Sequence, residues 1–139
     1  MSDIVTPEVR SRMMRGIRGK DTEPELIVRR YLHSHGFRYS LHVKGLPGRP
    51  DIVLPKYGMV IFVHGCFWHR HPGCRLAYQP KSRQEFWEAK LAGNAERDVR
   101  DVTRLGALGW RVLTVWECGT SPDGLADLAT AIRSKPGLE

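Results

Sequence analysis

The stretch FRYSLHVKGLPGRPDIVLPKYGMVIFV, residues 37–63, contains three short runs rich in β-branched and aromatic residues. The runs are FRYSLHV, DIVLP and MVIFV, and the segments GLPGRP and PKYG separate them. Such runs bounded by Gly and Pro are typical of consecutive β-strands. A further apolar run, WRVLTVW at residues 110–116, predicts another strand later in the chain.

Helical patterns precede and follow these runs. Thr22 followed by Glu25 forms a capping-box pattern that predicts the start of a first helix, and Ser82 followed by Glu85 predicts the start of a longer one. Leucine and isoleucine at helical spacing predict a closing helix over residues 122–134. The order of these elements predicts an α/β fold in which a central mixed β-sheet is flanked by helices.

The length of the chain, 139 residues, is that of one globular domain. We therefore expect a single domain over residues 21–139. Residues 1–20 carry Arg and Lys between a few apolar side chains and show no long helical period, so we expect them to form a separate basic arm.

Basic residues dominate the charge of the chain. Lys and Arg together number 22 against 15 for Asp and Glu, which gives a formal net charge of +7 and a pI near 9.7. A polyanion such as DNA is the expected partner, and the alternative is a merely basic soluble protein. The sequence has no apolar run near the ~18 residues of a membrane span and no secretory signal core, so we expect a cytoplasmic protein without membrane contact.

Cysteine and histidine alternate in the segment after the third predicted strand. Cys66, His71 and Cys74 lie within nine residues, and thiolate and imidazole are ligands that suit zinc. Cys118 directly follows the last predicted strand, where it can lie beside this loop and complete a Cys3His tetrahedron. Such a closed site would be structural and would stiffen the loop. The alternative is that the cysteines are free thiols in a reducing compartment.

A carboxylate and two histidines lie near the ends of neighbouring strands. Asp51 follows the turn GLPGRP, and a carboxylate at a strand end suits Mg²⁺ together with phosphate oxygens. A neutral imidazole can accept a proton and an imidazolium can stabilise negative charge, so His64 and His69 can divide these roles. A catalytic histidine is usually oriented by a carboxylate, for which Asp98 and Asp101 are both candidates. The alternative is that these acidic residues are ordinary solvated side chains.

Large aromatic residues interrupt the predicted zinc loop. Phe67 and Trp68 can stack on bases or wedge between them, and the alternative is that they pack the loop onto the core. Lys90 and Asn94 are one helical turn apart and can contact base edges from the same side of the long helix. The alternative for this pair is an ordinary surface position.

Five motifs in this order, PGRPD, IFVHGCFWH, EFW, NAERDVRD and WRVLTVWEC, resemble those of the very short patch repair (Vsr) endonucleases. The resemblance extends from about Ser11 to Cys118, and HGCFWH with a downstream WEC is its most specific part. It implies a fold similar to that of the PD-(D/E)xK nucleases, with Phe62, Val63 and His64 in place of E-x-K. It also implies Mg²⁺-dependent nicking of double-stranded DNA 5′ to the T of a T:G mismatch arising from deaminated 5-methylcytosine, leaving 5′-phosphate and 3′-hydroxyl ends.

The same resemblance implies a role for each site residue. Asp51 and the main-chain carbonyl of Val63 would bind Mg²⁺, and Glu25 would contact its hydration shell. His69 would be the general base, with Asp98 orienting it and His64 as an electrostatic helper. The remaining implied residues are the structural zinc ligands Cys66, His71, Cys74 and Cys118, an aromatic wedge of Phe67, Trp68 and Trp87, the DNA-inserting arm residue Met14, and the mismatch contacts Lys90 and Asn94. A monomer is expected, with contacts to other mismatch-repair proteins.

Two features depart from the family pattern. Val63 stands where the family frequently has threonine, and Pro72 and Gly73 make the zinc loop one residue longer, a difference that a flexible glycine can absorb. Two other functions are alternatives at this point. One is a related nicking nuclease of a restriction or defence system that requires no mismatch, and the other is a zinc-stabilised DNA-binding module without catalysis.

Overall fold

A computed structural model describes residues 22–134 of the chain. The predicted basic arm, residues 1–20, and Met14 within it lie outside these residues. In chain order the helices and strands are α1 (Glu23–Ser34), β1 (Ser40–Leu41), β2 (Ile52–Leu54), β3 (Met59–His64), α2 (Gln84–Ala107), β4 (Arg111–Trp116) and α3 (Pro122–Arg133). None of these helices is long and apolar enough to cross a membrane.

The strands between residues 22 and 134 form one sheet in the order β1-β2-β3-β4. β1 pairs with β2, and β2 with β3, in antiparallel orientation, whereas β3 and β4 run parallel. The parallel pair is joined by α2, a crossover of the kind that parallel strands require. The predicted single α/β domain with a mixed sheet is confirmed, although β1 is only two residues long instead of covering the whole FRYSLHV run. The likeness to PD-(D/E)xK nucleases stays a prediction.

β3 is the centre of the domain because both of its faces are covered. Met59 and Ile61 face a core that they form with α1 and α3, and Val60 and Phe62 face a second core that includes a leucine of α2. This alternation follows from the two-residue period of a strand. It places His64 on the same face of the sheet as Phe62, and α2 covers that face. Full burial of a side chain such as Ile61 contributes about 2–3 kcal/mol, so the strand that carries His64 is firmly held.

Both predicted capping boxes are wrong in detail. α1 follows Thr22 as expected, but the Thr22 side chain makes no capping hydrogen bond. α2 has Arg83, not Ser82, as its N-cap residue, and Arg83 is in a left-handed conformation with φ 54°. In the first helix, Glu25 is only 2 % exposed and its carboxylate lies 2.9 Å from the imidazole of His42.

Candidate active site and metal centre

Asp51 lies directly before β2 and faces the C-terminal end of β3. Its Oδ2 accepts a hydrogen bond of 2.7 Å from the backbone N–H of Val63. Because the N–H and C=O of one strand residue project to the same side, the Val63 carbonyl also projects toward the side of Asp51. The structure therefore brings together the two groups predicted to bind Mg²⁺.

A cavity of about 420 Å³ opens beside Asp51. The residues predicted for the reaction all line it, namely Glu25, Asp51, Val63, His64, His69 and Asp98. They come from α1, from the ends of two strands, from the loop after β3 and from α2. The fold thus assembles at one place side chains that are far apart in the sequence.

His64 and His69 are stacked in this cavity, with ring centroids 3.8 Å apart and ring planes 4° from parallel. Nδ1 of His69 lies 2.6 Å from Oδ2 of Asp98, so of the two aspartates considered it is Asp98 that contacts this histidine. His64 is farther from the same carboxylate, since its Nε2 lies 3.9 Å from Oδ1, a distance too long for a hydrogen bond. With Nδ1 engaged by Asp98, Nε2 is the nitrogen of His69 that can take a proton from a water molecule.

Burial shifts two pKa values in the cavity. The pKa of Asp51 is raised to about 6, mainly by burial and also by the charge of Glu25, against the opposing hydrogen bond from Val63. The pKa of His64 is lowered to about 4, mainly by burial and also by His69, against the opposing charge of Asp98. His64 is therefore a neutral imidazole at neutral pH. An imidazolium at this position is disfavoured in the DNA-free protein because burial penalises the charged ring.

Cys66, His71, Cys74 and Cys118 form a second cluster, with their four ligand atoms all within 4.8 Å of one another. Nδ1 of His71 lies 3.6 Å from Sγ of Cys66 and 3.4 Å from Sγ of Cys118. A tetrahedral zinc ion, with bonds of about 2.1 Å to nitrogen and about 2.3 Å to sulfur, separates such ligand atoms by about 3.6 Å. The cluster therefore has the spacing of a zinc tetrahedron.

The chemistry of the donor set also fits a cation. Burial raises the pKa of the Cys66 thiol to about 12, so a thiolate here needs a positive charge beside it. At Cys74 the pKa is lowered, mainly by a hydrogen bond from the backbone N–H of Leu76. Gly73 has a φ of 71°, a left-handed conformation that glycine adopts easily, and this turn lets the longer loop still bring Cys74 to its partners.

Comparison with known proteins agrees with this geometry. The family described as "DNA mismatch endonuclease Vsr" matches residues 2–75 of the chain. A type II nicking enzyme of Xanthomonas oryzae pv. oryzae is 51% identical over 124 residues, which cover 89% of this chain and 90% of that protein. The DNA mismatch endonuclease Vsr of Escherichia coli is 48% identical over 118 residues, which cover 85% of this chain and 75% of that protein. This chain belongs to the Vsr family.

Membership of the Vsr family makes the chain a DNA nicking endonuclease, a hydrolase whose substrate is DNA. The alternative of a DNA-binding module without catalysis is thereby excluded. The family also explains why acidic and histidine side chains line one cavity in a basic protein, because phosphodiester hydrolysis needs a base and a way to stabilise phosphate charge.

The aromatic residues of this Vsr family member form a packed cluster in the DNA-free protein, not an exposed wedge. Trp68 is 7 % exposed and Trp87 is 3 % exposed, and the two pack with Leu91. Phe67 is half-buried and stacks on the exposed ring of Tyr78, with ring centroids 4.9 Å apart. The packing alternative for Phe67 and Trp68 therefore describes Trp68, whereas Phe67 keeps part of its surface available. Entry of either tryptophan into DNA would require this cluster to rearrange.

Asn94 has a structural contact in addition to its predicted contact with DNA. Its Nδ2 donates a hydrogen bond of 2.9 Å to the backbone carbonyl of Trp68, and its Oδ1 accepts one from Arg97. The bond to Trp68 links α2 to the loop that carries His69. Lys90 lies one turn earlier on α2, and its contact with a base stays a prediction.

The sequence does not identify four further ionisable residues that line the cavity, which are His42, Lys44, Arg49 and Glu117. The backbone N–H of His42 donates to the carbonyl of Asp51 at 3.2 Å, so counting the strand register across the GLPGRP turn would have placed them opposite each other. Oε1 of Glu117 accepts a hydrogen bond of 3.2 Å from the N–H of Cys66. The sequence signal for Glu117 was its position beside Cys118 in the WEC motif. Lys44 and Arg49 give the cavity positive charge that suits a DNA phosphate.

Proposed function

We propose that this chain nicks double-stranded DNA on the 5′ side of the T in T:G mismatches that arise from deaminated 5-methylcytosine, leaving a 5′-phosphate and a 3′-hydroxyl. The observation that supports it most is the convergence of Asp51, His64, His69 and Asp98 on one cavity. The chain is also 48% identical to a relative described as a DNA mismatch endonuclease.

His69 is the general base in this proposal. Asp98 holds Nδ1 at 2.6 Å, so Nε2 takes the proton of the water that attacks the phosphorus while the bond to the 3′-oxygen breaks. The Asp98 carboxylate stabilises the imidazolium that forms on His69. The leaving 3′-oxygen takes a proton from solvent and becomes the 3′-hydroxyl.

His64 assists from the neighbouring position. Because it is neutral at neutral pH, it does not repel the positive charge that forms on His69 at a ring distance of 3.8 Å. A neutral imidazole can donate a hydrogen bond to a phosphate oxygen, and the negative charge of that phosphate raises the pKa of the ring. A bound phosphate thereby favours positive charge on His64.

Asp51 and the carbonyl of Val63 would hold the catalytic Mg²⁺, with Glu25 in contact with its hydration shell. Two neighbouring buried carboxylates favour a cation, as the contribution of Glu25 to the raised pKa of Asp51 indicates. When bound, Mg²⁺ supplies a Lewis acid that stabilises negative charge on the phosphate.

The cluster of Cys66, His71, Cys74 and Cys118 would bind a structural Zn²⁺. Four protein ligands complete a tetrahedron and leave no position for substrate. His69 lies between two of these ligands in the sequence, so a zinc ion would hold the base over the cavity. Thiolate ligands require reduced cysteines, which suits the cytoplasm.

The DNA contacts extend beyond the cavity. Phe67, Trp68 and Trp87 would enter the base stack beside the mismatch, Met14 of the arm would insert as well, and Lys90 and Asn94 would contact the mismatched bases. The excess of positive charge, +7 for the whole chain, supports binding to the phosphates on either side. A monomer is part of this proposal. Contacts with other mismatch-repair proteins stay a prediction.

Paired duplexes test the proposed specificity. The zinc-loaded protein is incubated with Mg²⁺ and with duplexes that differ only in a T:G or a C:G pair, and the ends are mapped by labelling. We expect nicking of the T strand alone, 5′ to the T, in the mismatched duplex. Asp51→Asn should abolish nicking and retain DNA binding. Equal nicking of both duplexes would overturn the mismatch requirement.

A second candidate is a nicking nuclease of a restriction or defence system that acts on fully paired DNA. The observation in its favour is that a relative 51% identical to this chain is described as a type II nicking enzyme. Efficient nicking of fully paired plasmid DNA by the same preparation would favour this function over mismatch repair. Repeating both assays over different flanking bases would define the sequence that the enzyme recognises.

A further inference from the structure

A histidine lies beside the two carboxylates of the proposed Mg²⁺ site. Glu25, His42 and Asp51 each place one ligand atom within 4.8 Å of the ligand atoms of the other two. Nε2 of His42 lies 2.9 Å from Oε2 of Glu25, and the His42 and Glu25 side chains are only 16% and 3% exposed. The three side chains therefore offer one nitrogen and two oxygen donors at a largely buried position.

The backbone holds these donors in place. The N–H of His42 donates to the carbonyl of Asp51 at 3.2 Å, which extends the β1–β2 pairing by one residue beyond Leu41 and Ile52. Oδ2 of Asp51 accepts from the N–H of Val63 at 2.7 Å. His42 itself has a φ of 49°, an uncommon conformation for a residue with a side chain. The strand pairing therefore directs the imidazole to this position.

We propose that His42 is a ligand of the catalytic metal site and that its nitrogen increases the affinity of the site for Mn²⁺ more than for Mg²⁺. This inference rests on the metal site proposed at Asp51. Mg²⁺ takes oxygen ligands almost exclusively, whereas imidazole favours the first-row transition ions. Adjacent ligands of an octahedral ion with bonds of about 2.1 Å lie about 3.0 Å apart. The 2.9 Å between His42 and Glu25 matches this spacing, so in this inference Glu25 also binds the ion directly and not only through its hydration shell.

The competing interpretation is that His42 only positions Glu25 as a hydrogen-bonding or charged neighbour. The two interpretations differ in what the loss of the imidazole does. If His42 only positions Glu25, loss of the imidazole weakens the binding of Mn²⁺ and of Mg²⁺ by the same factor. If His42 is a ligand, its loss removes the nitrogen donor and weakens Mn²⁺ binding selectively.

Direct metal titration distinguishes them. Mn²⁺ binding to the zinc-loaded protein without DNA is followed by the loss of the EPR signal of free Mn²⁺, and Mg²⁺ binding by competition with Mn²⁺. The variant is His42→Asn, because asparagine tolerates the left-handed backbone at this position. The matched control is His33→Gln, at an exposed histidine of α1. Retained zinc and an unchanged melting temperature show that each variant is folded, and His42→Gln serves as a second variant.

We expect His42→Asn to weaken Mn²⁺ binding by about tenfold or more and Mg²⁺ binding by less than about threefold, with no change in the control. Equal weakening of both ions, or an unchanged Mn²⁺ affinity, would overturn the role of His42 as a ligand. Asp51→Asn should lose this Mn²⁺ binding, and retention of it would show that the ion binds elsewhere. No step uses DNA, so a failure of the nicking proposal and a failure of this one are distinguishable.

Discussion

Asp98 on α2 and His69 in the loop after β3 are separated by 29 positions in the chain, yet Oδ2 of Asp98 lies 2.6 Å from Nδ1 of His69. The two residues meet because α2 crosses the same sheet face that carries His64, against which His69 stacks. In the proposed mechanism this carboxylate fixes the orientation of the ring and leaves Nε2 for the attacking water. We therefore expect the contact to affect the rate of nicking.

Asp98→Asn should reduce the single-turnover rate of nicking by about a hundredfold or more, because an amide neither fixes the same tautomer nor stabilises the imidazolium. DNA affinity should be unchanged, since the carboxylate acts through His69. The control is Glu96→Gln, an exposed carboxylate on the same helix, which should nick at the normal rate. Both variants are measured with saturating enzyme on one mismatched duplex. A normal rate for Asp98→Asn would show that the contact has no catalytic role.

Asp51 should make the Mg²⁺-free protein less stable as the pH rises. Its pKa is raised from 3.8 to about 6 in the folded protein, so the folded state favours the protonated carboxyl. The resulting stabilisation is complete below pH 3.8 and is lost as the pH rises through about 6. At neutral pH the charged carboxylate therefore costs up to about 3 kcal/mol relative to a neutral side chain.

Asp51→Asn should accordingly be more stable than the unchanged protein at pH 8, and the difference should shrink as the pH falls toward 5. The difference in free energy of unfolding is measured by urea unfolding of both zinc-loaded, Mg²⁺-free proteins at several pH values. Mg²⁺ should stabilise only the protein that retains Asp51, and its affinity should fall by up to about tenfold per pH unit below the raised pKa. A stability difference that does not vary with pH would contradict the burial of this charge.

Two histidines in the same loop should have separate functions. His71 contributes Nδ1 to the cysteine cluster, whereas His69 contacts Asp98. We expect His71→Ala to lose the bound zinc and to unfold at a lower temperature, because the free energy of zinc binding then no longer contributes to folding. His69→Ala should keep its zinc and its melting temperature but lose nicking. Metal analysis, thermal unfolding and the nicking assay on both variants give the comparison, and loss of zinc from His69→Ala would contradict the separation.

The elements that the sequence predicts well are those determined by local patterns. The apolar runs predict β2 and β3 because strands covered on both faces need nearly continuous hydrophobic residues. The run WRVLTVW predicts β4 as well, although most residues of that strand are only half-buried. Asp51 and His64 could be recognised because they stand at the ends of such runs. The cysteine spacing could likewise be recognised from ligand chemistry alone.

The features that the sequence does not predict depend on how elements approach one another. The residues alone leave Asp98 and Asp101 both open as partners of His69, and the crossing of α2 over the sheet brings Asp98 there, as the family resemblance implies. The register of β1 with β2 brings His42 to Asp51. The burial of Trp68 also depends on how elements pack, because the sequence of a loop does not indicate which of its side chains other elements will cover. The sequence therefore predicts several residues that line the cavity, but not how they contact one another.

The turn that leads to Asp51 depends on a close approach between Gly48 and α2. Gly48 has a φ of 75°, and a Cβ on it would lie 2.8 Å from Oδ2 and 2.9 Å from Cβ of Asp101. Rotating the Asp101 carboxylate cannot relieve the second contact, so the turn or the helix must shift. Gly45 in the same turn has a φ of 92° but nothing within 4 Å of the equivalent position, which makes it a matched control.

Gly45→Ala should therefore report the backbone strain alone, and Gly48→Ala the strain together with the clash. We expect Gly48→Ala to lower the free energy of unfolding by about 1–3 kcal/mol more than Gly45→Ala, as measured by urea denaturation. It should also weaken Mg²⁺ binding, because a shift of the turn moves Asp51 away from Val63. An equal loss of free energy of unfolding in the two variants would contradict the clash, because the turn would then be free to move relative to α2.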